Sequence, residues 1–274
     1  MPVTDPLPAH RAAEHLETLR ARRPLVHNIT NFVVMNVTAN ALLACGAAPV
    51  MAHAPEEVEE MVAFAGALVL NIGTLSPPWV DAMAQAGRAA NHRGIPVVLD
   101  PVGSGVTRLR TEAARRLTRE VRIAVVRGNA SEVLSLTRAG AGGKGVDTAH
   151  GVDQAADDAR GLAQELGATV AITGPVDFVT DGRRTCRVHN GHPLMARVTG
   201  TGCTATALIG AFLAVADAPW EAAAGALAYF GAAGELAARG AAGPGSFQVH
   251  LIDHLAAMDG PRLAQMAKIE VVGG

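Results

Sequence analysis

Short apolar runs alternate with longer stretches in which apolar positions recur at helical spacing. ALVLNIG (67–73), IPVVLD (95–100), RIAVVRGN (122–129) and TVAITG (169–174) are near-continuous apolar runs of strand length. WVDAMAQAGRAANHRG (79–94) and VDQAADDARGLAQELG (152–167) read as helices, each closed by a glycine. Apolar strands separated by helices predict a parallel sheet covered on both faces. DFVTDGRRTCRV (177–188) departs from that rhythm, because Asp181-Gly182 between two strand-like runs signals a hairpin and hence an antiparallel extension. Beyond residue 200 the pattern reads as helix alone, from Thr204 through Ala238 with a break at Asp217-Ala-Pro219, then from Phe247 to Met266. The glycine-rich AGAGGKG (139–145) predicts a mobile loop. No linker or repeat divides the 274 residues, so 1–274 reads as one α/β domain.

Composition narrows the partners. A net charge of −2 leaves no electrostatic footprint for nucleic acid or an anionic membrane, and 3% aromatics leaves no base-stacking surface. The first 25 residues lack the apolar core of a signal peptide. The most apolar stretch, Cys203 to Ala216, is too short to span a bilayer. Cys45, Cys186 and Cys203 have no metal-ligand spacing and leave an odd count, as expected in a reducing cytoplasm.

Ligands of open α/β sheets gather at the carboxyl ends of the strands. Those ends here read Asn71-Ile-Gly73-Thr74, Asp100-Pro-Val-Gly103, Arg127-Gly-Asn129 and Thr173-Gly174, each a polar side chain near a glycine. Asn129-Ala-Ser-Glu132 has the form of a capping box, with Asn at the N-cap and Glu three residues on. A carboxylate at that position also suits Mg²⁺, which takes few protein ligands; Asp100 poses the same choice between cap and metal. His27-Asn28-Ile-Thr30-Asn31 is too polar for an ordinary buried strand end and reads either as a turn or as the lining of a small pocket. Met51, after another short strand, suits a ligand face or plain core. The pairs His189/His192 and His250/His254 lack a third ligand and read as surface or hydrogen-bonded histidines.

Gly200-Thr-Gly202-Cys-Thr-Ala205 matches a dinucleotide fingerprint in letters but not in context. It comes late and lies among helices, outside any strand–helix–strand unit. What remains is an anion cradle of amides at a helix N-terminus, made approachable by Gly200 and Gly202. Cys203 sits in it, either as a small buried filler or as a thiol whose pKa the helix dipole lowers.

PLVHNITNFVVMNVTANALLACGAAPVMA (24–52), LNIGTL (70–75), VVLDPVG (97–103), VVRGNASE (125–132), KGVD (144–147), AITG (171–174), VTGTGC (198–203) and GPGSFQVHLID (243–253) occur in this order. As an ordered set, spanning about Pro24 to Met266, they resemble the hydroxyethylthiazole kinases of the thiamine pathway, a branch of the ribokinase-like superfamily. The resemblance implies a three-layer α/β/α sandwich with a mostly parallel sheet. It also implies ATP- and Mg²⁺-dependent phosphorylation of 4-methyl-5-(2-hydroxyethyl)thiazole by a homotrimer with sites near subunit interfaces. Residue by residue, it implies substrate contacts at Met51 and Gly200, with Asn28 beside them. ATP contacts fall at Arg127 and Thr173, with Gly202 in the phosphate cradle. Glu132 matches the metal-associated acid, with Asp100 nearby, and Cys203 stands where related kinases carry an aspartate base. Two readings within the same fold stand beside it, a kinase of another small alcohol such as a hydroxymethylpyrimidine or pyridoxal, and an NAD(P)H-hydrate dehydratase. A non-catalytic nucleotide-binding protein is the third alternative.

Overall fold

All five residues of strand β3 (Ala67–Asn71) are buried, and alternate members enter different cores. Ala67 and Val69 join one apolar cluster, Leu68 and Leu70 another on the opposite face. That two-sided burial is why the run carries no polar alternation. The computed structural model describes residues 6–137 and 151–272. The glycine-rich tract 139–145 and the KGVD motif lie outside the described residues.

The strands β1 (Leu25–Ile29), β2 (Ala48–Val50), β3, β4 (Val97–Asp100), β5 (Val125–Gly128), β6 (Thr169–Ile172), β7 (Asp177–Thr180), β8 (Thr185–Val188) and β9 (Ile269–Val272) form one sheet. Their order is β2-β1-β3-β4-β5-β6-β7-β8-β9. The six from β2 to β6 run parallel, and β7, β8 and β9 add an antiparallel wing. The hairpin expected at Asp181-Gly182 joins β7 to β8, with Asp181 Oδ1 accepting the amides of Arg183 (2.9 Å) and Arg184 (2.7 Å).

Helices α1 (Pro6–Arg22), α2 (Met35–Cys45), α8 (Thr201–Leu213), α9 (Pro219–Gly240) and α10 (Pro244–Ala257) cover one face. Helices α3 (Val58–Val62), α4 (Pro77–His92), α5 (Arg108–Glu120), α6 (Ala130–Leu134) and α7 (Gly151–Leu166) lie on the other. A short helix α11 (Gly260–Met266) leads into β9. The result is the expected three-layer α/β/α sandwich with a mostly parallel sheet. Phe212, Tyr229 and Phe247 are fully buried in the first core, each worth about 1.5–3 kcal/mol by area. Among the described residues no helix is long and apolar enough to cross a membrane.

Two expectations need correction. The segment after residue 200 is not helix alone, because residues 269–272 form β9 against β8. This strand is an edge strand with one buried position, Ile269, followed by exposed and half-buried ones, so it lacks the apolar run of the central strands. The polar HNITN run is not a turn at His27-Asn28-Ile29; these residues are the second half of β1. His27, Asn28, Thr30 and Asn31 are all buried, and local hydrogen bonds make that tolerable. His27 Nε2 bonds the Ala52 carbonyl at 2.7 Å, and Asn28 Nδ2 donates to Val26 O at 2.9 Å.

Candidate active site

Strand parity assembles the site. Val69, Val98, Val125 and Ala171 all face the core under α8 and α9. Two residues on, Asn71, Asp100, Arg127 and Thr173 therefore project to the same side, at the strands' carboxyl ends. The register aligns them: Asn71 pairs with Asp100, and Leu99 with Val126, so the next step sets Asp100 beside Arg127. The amino end of α8 closes over this row.

Gly200 precedes α8 in a left-handed conformation (φ 85°), and a Cβ there would stand 2.7 Å from Val34 Cγ1 at the mouth of α2. It offers no capping side chain, so the first amides of α8 have neither a cap nor an intrahelical acceptor. Gly202 lets the Arg127 guanidinium lie against the helix, since a Cβ would be 2.7 Å from Nη1. Arg127 is mostly buried. Its Nη2 donates to Thr173 Oγ1, Nη1 lies 3.8 Å from Asp100 Oδ2, and Nε is buried without a partner. Beside them opens a cavity of about 580 Å³. Arg127, Thr173, Asp177 and Gly202 line it together with the apolar Leu227 and Phe230.

Asp100 is fully buried. Its Oδ2 accepts from Asn71 Nδ2 and from Thr206 Oγ1, both at 2.8 Å, while Oδ1 has no partner. Burial pushes its carboxyl up to about 6 against the pull of Arg127 and these two donors. Asp177, in the cavity wall, is likewise raised to about 6 by burial, although it accepts the Gly174 amide at 3.0 Å.

Cys203, the third residue of α8, is half-buried, and its sulfur accepts from Asn31 Nδ2 at 3.5 Å. The expected lowering of its pKa is not found. Burial, followed by the nearby Asp100 charge, pushes the thiol up to about 11, outweighing the donors Asn71 and Asn31 and the Arg127 charge.

The capping box at 129–132 is complete. Asn129 Oδ1 accepts the Glu132 amide at 2.9 Å, and Glu132 Oε2 accepts the Asn129 amide at 2.9 Å. Glu132 Oε1 also takes the Gly103 amide at 2.8 Å, tying the loop after β4 to the start of α6. Glu132 stands close enough to raise Asp100 electrostatically. Asn28 shares the α8 face of the sheet, with its Oδ1 unpartnered. Met51 follows β2, next to Asn28 by the β1–β2 register. Among the described residues no hydrogen bond joins these two to the Cys203 cluster.

Three residues of the site carry no role in the sequence pattern. Asn71 is visible at a strand end, and parity alone assigns its direction. Thr206 lies three residues from Cys203, hence on the same side of α8. Arg110 carries no local signal: its Nη1 donates to the carbonyls of Ile72 (3.1 Å) and Val102 (2.8 Å), and Nη2 to Gly73 (2.6 Å). One guanidinium thus holds the loops after β3 and β4 together. Of the histidine pairs, His189 bonds Glu270 at 2.8 Å, and His192 Nδ1 accepts the Leu194 amide at 3.2 Å.

The mostly parallel sheet covered by helices on both faces, with a polar row at its carboxyl edge, is a ribokinase-like fold. A ribokinase-like superfamily protein of Enterococcus faecalis has this fold at 16% identity, with a TM-score of 0.64 over 91% of this chain and 95% of that one. A model of the Hydroxyethylthiazole kinase family matches residues 16–260. The hydroxyethylthiazole kinase of Desulfotalea psychrophila is 58% identical over 259 residues, 94% of this chain and 95% of that protein. The structure of a hydroxyethylthiazole kinase from Pyrococcus horikoshii OT3 superposes with a TM-score of 0.89 at 48% identity, covering 95% and 98% of the two chains. The chain belongs to the hydroxyethylthiazole kinase family.

Proposed function

We propose that this protein transfers the γ-phosphoryl group of ATP to the primary hydroxyl of 4-methyl-5-(2-hydroxyethyl)thiazole. The observation that carries the reading is the meeting of Arg127, Asp100 and Cys203 at the uncapped amino end of α8, beside a cavity of about 580 Å³. ATP occupies that cavity beside Thr173, with its phosphates over the 200–203 amides. These amides and Arg127 are preorganised for the charge that develops on the transferred group. The alcohol lies on the Met51–Asn28 side and attacks in line, next to Cys203.

With its thiol near 11, Cys203 is almost wholly protonated at neutral pH. Its chief contribution is to orient the hydroxyl, and it serves as proton acceptor only in its small thiolate fraction. A loose transition state tolerates this, since it demands positioning more than a strong base.

Mg²⁺ fits the residues present. Asp100 Oδ1 is a buried carboxylate oxygen without a partner, and Glu132 is a second hard donor nearby. Mg²⁺ keeps several waters and takes phosphate oxygens as ligands, so it needs few protein donors. When bound, Mg²⁺ supplies charge neutralisation to the phosphates. Asp100 and Glu132 would hold it.

The whole chain, 1–274, works as one kinase domain in a cytoplasmic homotrimer. Phe32 and Val33, exposed at 63% and 62% immediately after Asn31, support a subunit contact beside the site. The free cysteines support a reducing compartment. The test is mass spectrometry of products after incubation with Mg-ATP and a panel of thiazole, pyrimidine and pyridine alcohols. Phosphorylation of the thiazole alcohol is expected; phosphorylation confined to another alcohol overturns the reading.

A further inference from the structure

Asn31 and Asn71 form a continuous chain of hydrogen bonds between the buried carboxylate and the thiol, with donation running outward from Asn31 to both ends. Asn71 Nδ2 donates to Asp100 Oδ2 at 2.8 Å, and Asn31 Nδ2 donates to Asn71 Oδ1 at 2.8 Å. The same Asn31 nitrogen reaches Cys203 Sγ at 3.5 Å, so its two hydrogens go to the oxygen and the sulfur. Backbone amides fix which way each side-chain amide points. The Gly73 amide donates to Asn71 Oδ1 at 3.0 Å, and the Val33 amide to Asn31 Oδ1 at 3.1 Å. Flipping either amide would set nitrogen against N–H, so the orientation of both is determined, and both the sulfur and the carboxylate stand as acceptors.

Space around the chain is equally restricted. Asn31 and Asn71 are 4% and 1% exposed. A Cβ on Gly73 would stand 2.5 Å from Asn31 Nδ2, so only glycine at 73 leaves room for the relay. Four elements contribute: the end of β1, the end of β3 with its loop, the end of β4 and the first turn of α8. The carboxylate end is held a second time, because Asp100 also accepts from Thr206 of α8.

We infer that Asn31 and Asn71 are positioning residues that hold the Cys203 sulfur in fixed register with Asp100. The relay sets the separation between the group beside the alcohol and the group beside the nucleotide. Neither asparagine needs to touch either substrate. An error of about 1 Å in such a separation costs on the order of 10²-fold in rate with little effect on binding. The inference rests on the kinase reading and on Cys203 lying at the reacting hydroxyl.

The experiment is a double-mutant cycle on turnover with Asn31→Ala, Cys203→Ala and the pair, measured after wild-type kinase activity has been established. Asn31→Ala is expected to lower kcat by about 10–100-fold, with KM for ATP and the alcohol within about threefold. The pair is expected to turn over within about twofold of Cys203→Ala alone, because the relay acts through the sulfur. Asn31→Asp, which keeps the shape but removes both donors, should reproduce the alanine loss and serves if Asn31→Ala does not fold. Losses that multiply in the pair, or a loss confined to KM, show a bracing role and overturn the inference while leaving the kinase reading intact. Failure of the wild type to phosphorylate any alcohol would instead overturn that reading.

Discussion

The Arg127 guanidinium packs against Gly202 so closely that a single added methyl would stand 2.7 Å from Nη1. Gly202→Ala should therefore move Arg127 away from Thr173 and the phosphate cradle. Losing the charged Arg127 hydrogen bonds to the phosphates, worth about 1.5–3 kcal/mol, should raise KM for ATP by about tenfold or more. KM for the alcohol should change little. Steady-state kinetics with each substrate varied in turn checks the split; equal effects on both would contradict it.

Cys203→Ala should lower kcat by a factor on the order of 10²–10⁴, the usual span for a group that accepts or guides a proton. Cys203→Asp should retain activity, since a carboxylate in the same place can both hold the hydroxyl and accept its proton. Normal turnover by the alanine variant would reduce Cys203 to packing.

Burial raises Asp100 from an ordinary value of 3.8 to about 6, so the folded protein binds this proton more tightly than the unfolded chain does. Its contribution to stability is full below about pH 4 and is lost as the pH rises through about 6. Asp177 adds an effect of the same sign over the same range. In chelated, nucleotide-free buffer, Asp100→Asn should raise Tm at pH 7.5, by the equivalent of about 1–3 kcal/mol. The gain should shrink towards pH 4. Thermal melts of both proteins across that range decide it, and a gain that grows on acidification would be the wrong sign.

Arg110→Met removes three charge-assisted bonds to carbonyls of two loops while keeping most of the stem's packing. A loss of about 2 kcal/mol is expected in urea unfolding, together with a reduced kcat, because the loop after β3 carries the Gly73 that borders Asn31. Unchanged unfolding would mean that the loops hold their places without the clamp.

Much of the sheet is legible in the chain because the central strands are buried on both faces, which writes itself as unbroken apolar runs. The wing is legible only through its hairpin. β9 is not, since an edge strand with one buried residue has no run to announce it. At the site, Asp100, Arg127 and Thr173 stand out as polar residues closing apolar strands. Glu132 matches two patterns at once, and the structure completes the capping box with one of its oxygens while the other takes the Gly103 amide. The thiol's pKa runs opposite to expectation because a sequence displays the helix start but hides the burial and the carboxylate that oppose it. Arg110 is out of reach, as its partners are backbone oxygens that only the folded loops bring together.

The β9 edge strand has a consequence for the order in which the molecule matures. Asn190, in the wall of the cavity of about 580 Å³, donates to Met266 O at 2.8 Å and accepts the Lys268 amide at 2.7 Å. The His189 amide donates to Lys268 O at 2.9 Å. That wall is anchored by residues 76 to 78 positions later in the chain. On a growing polypeptide, the strands carrying Asp100 and Arg127 emerge long before residues 266–272 do. The strands that carry the polar row are thus made early, while the hydrogen bonds from residues 266–268 that fix Asn190 in the cavity wall can form only near the end of synthesis.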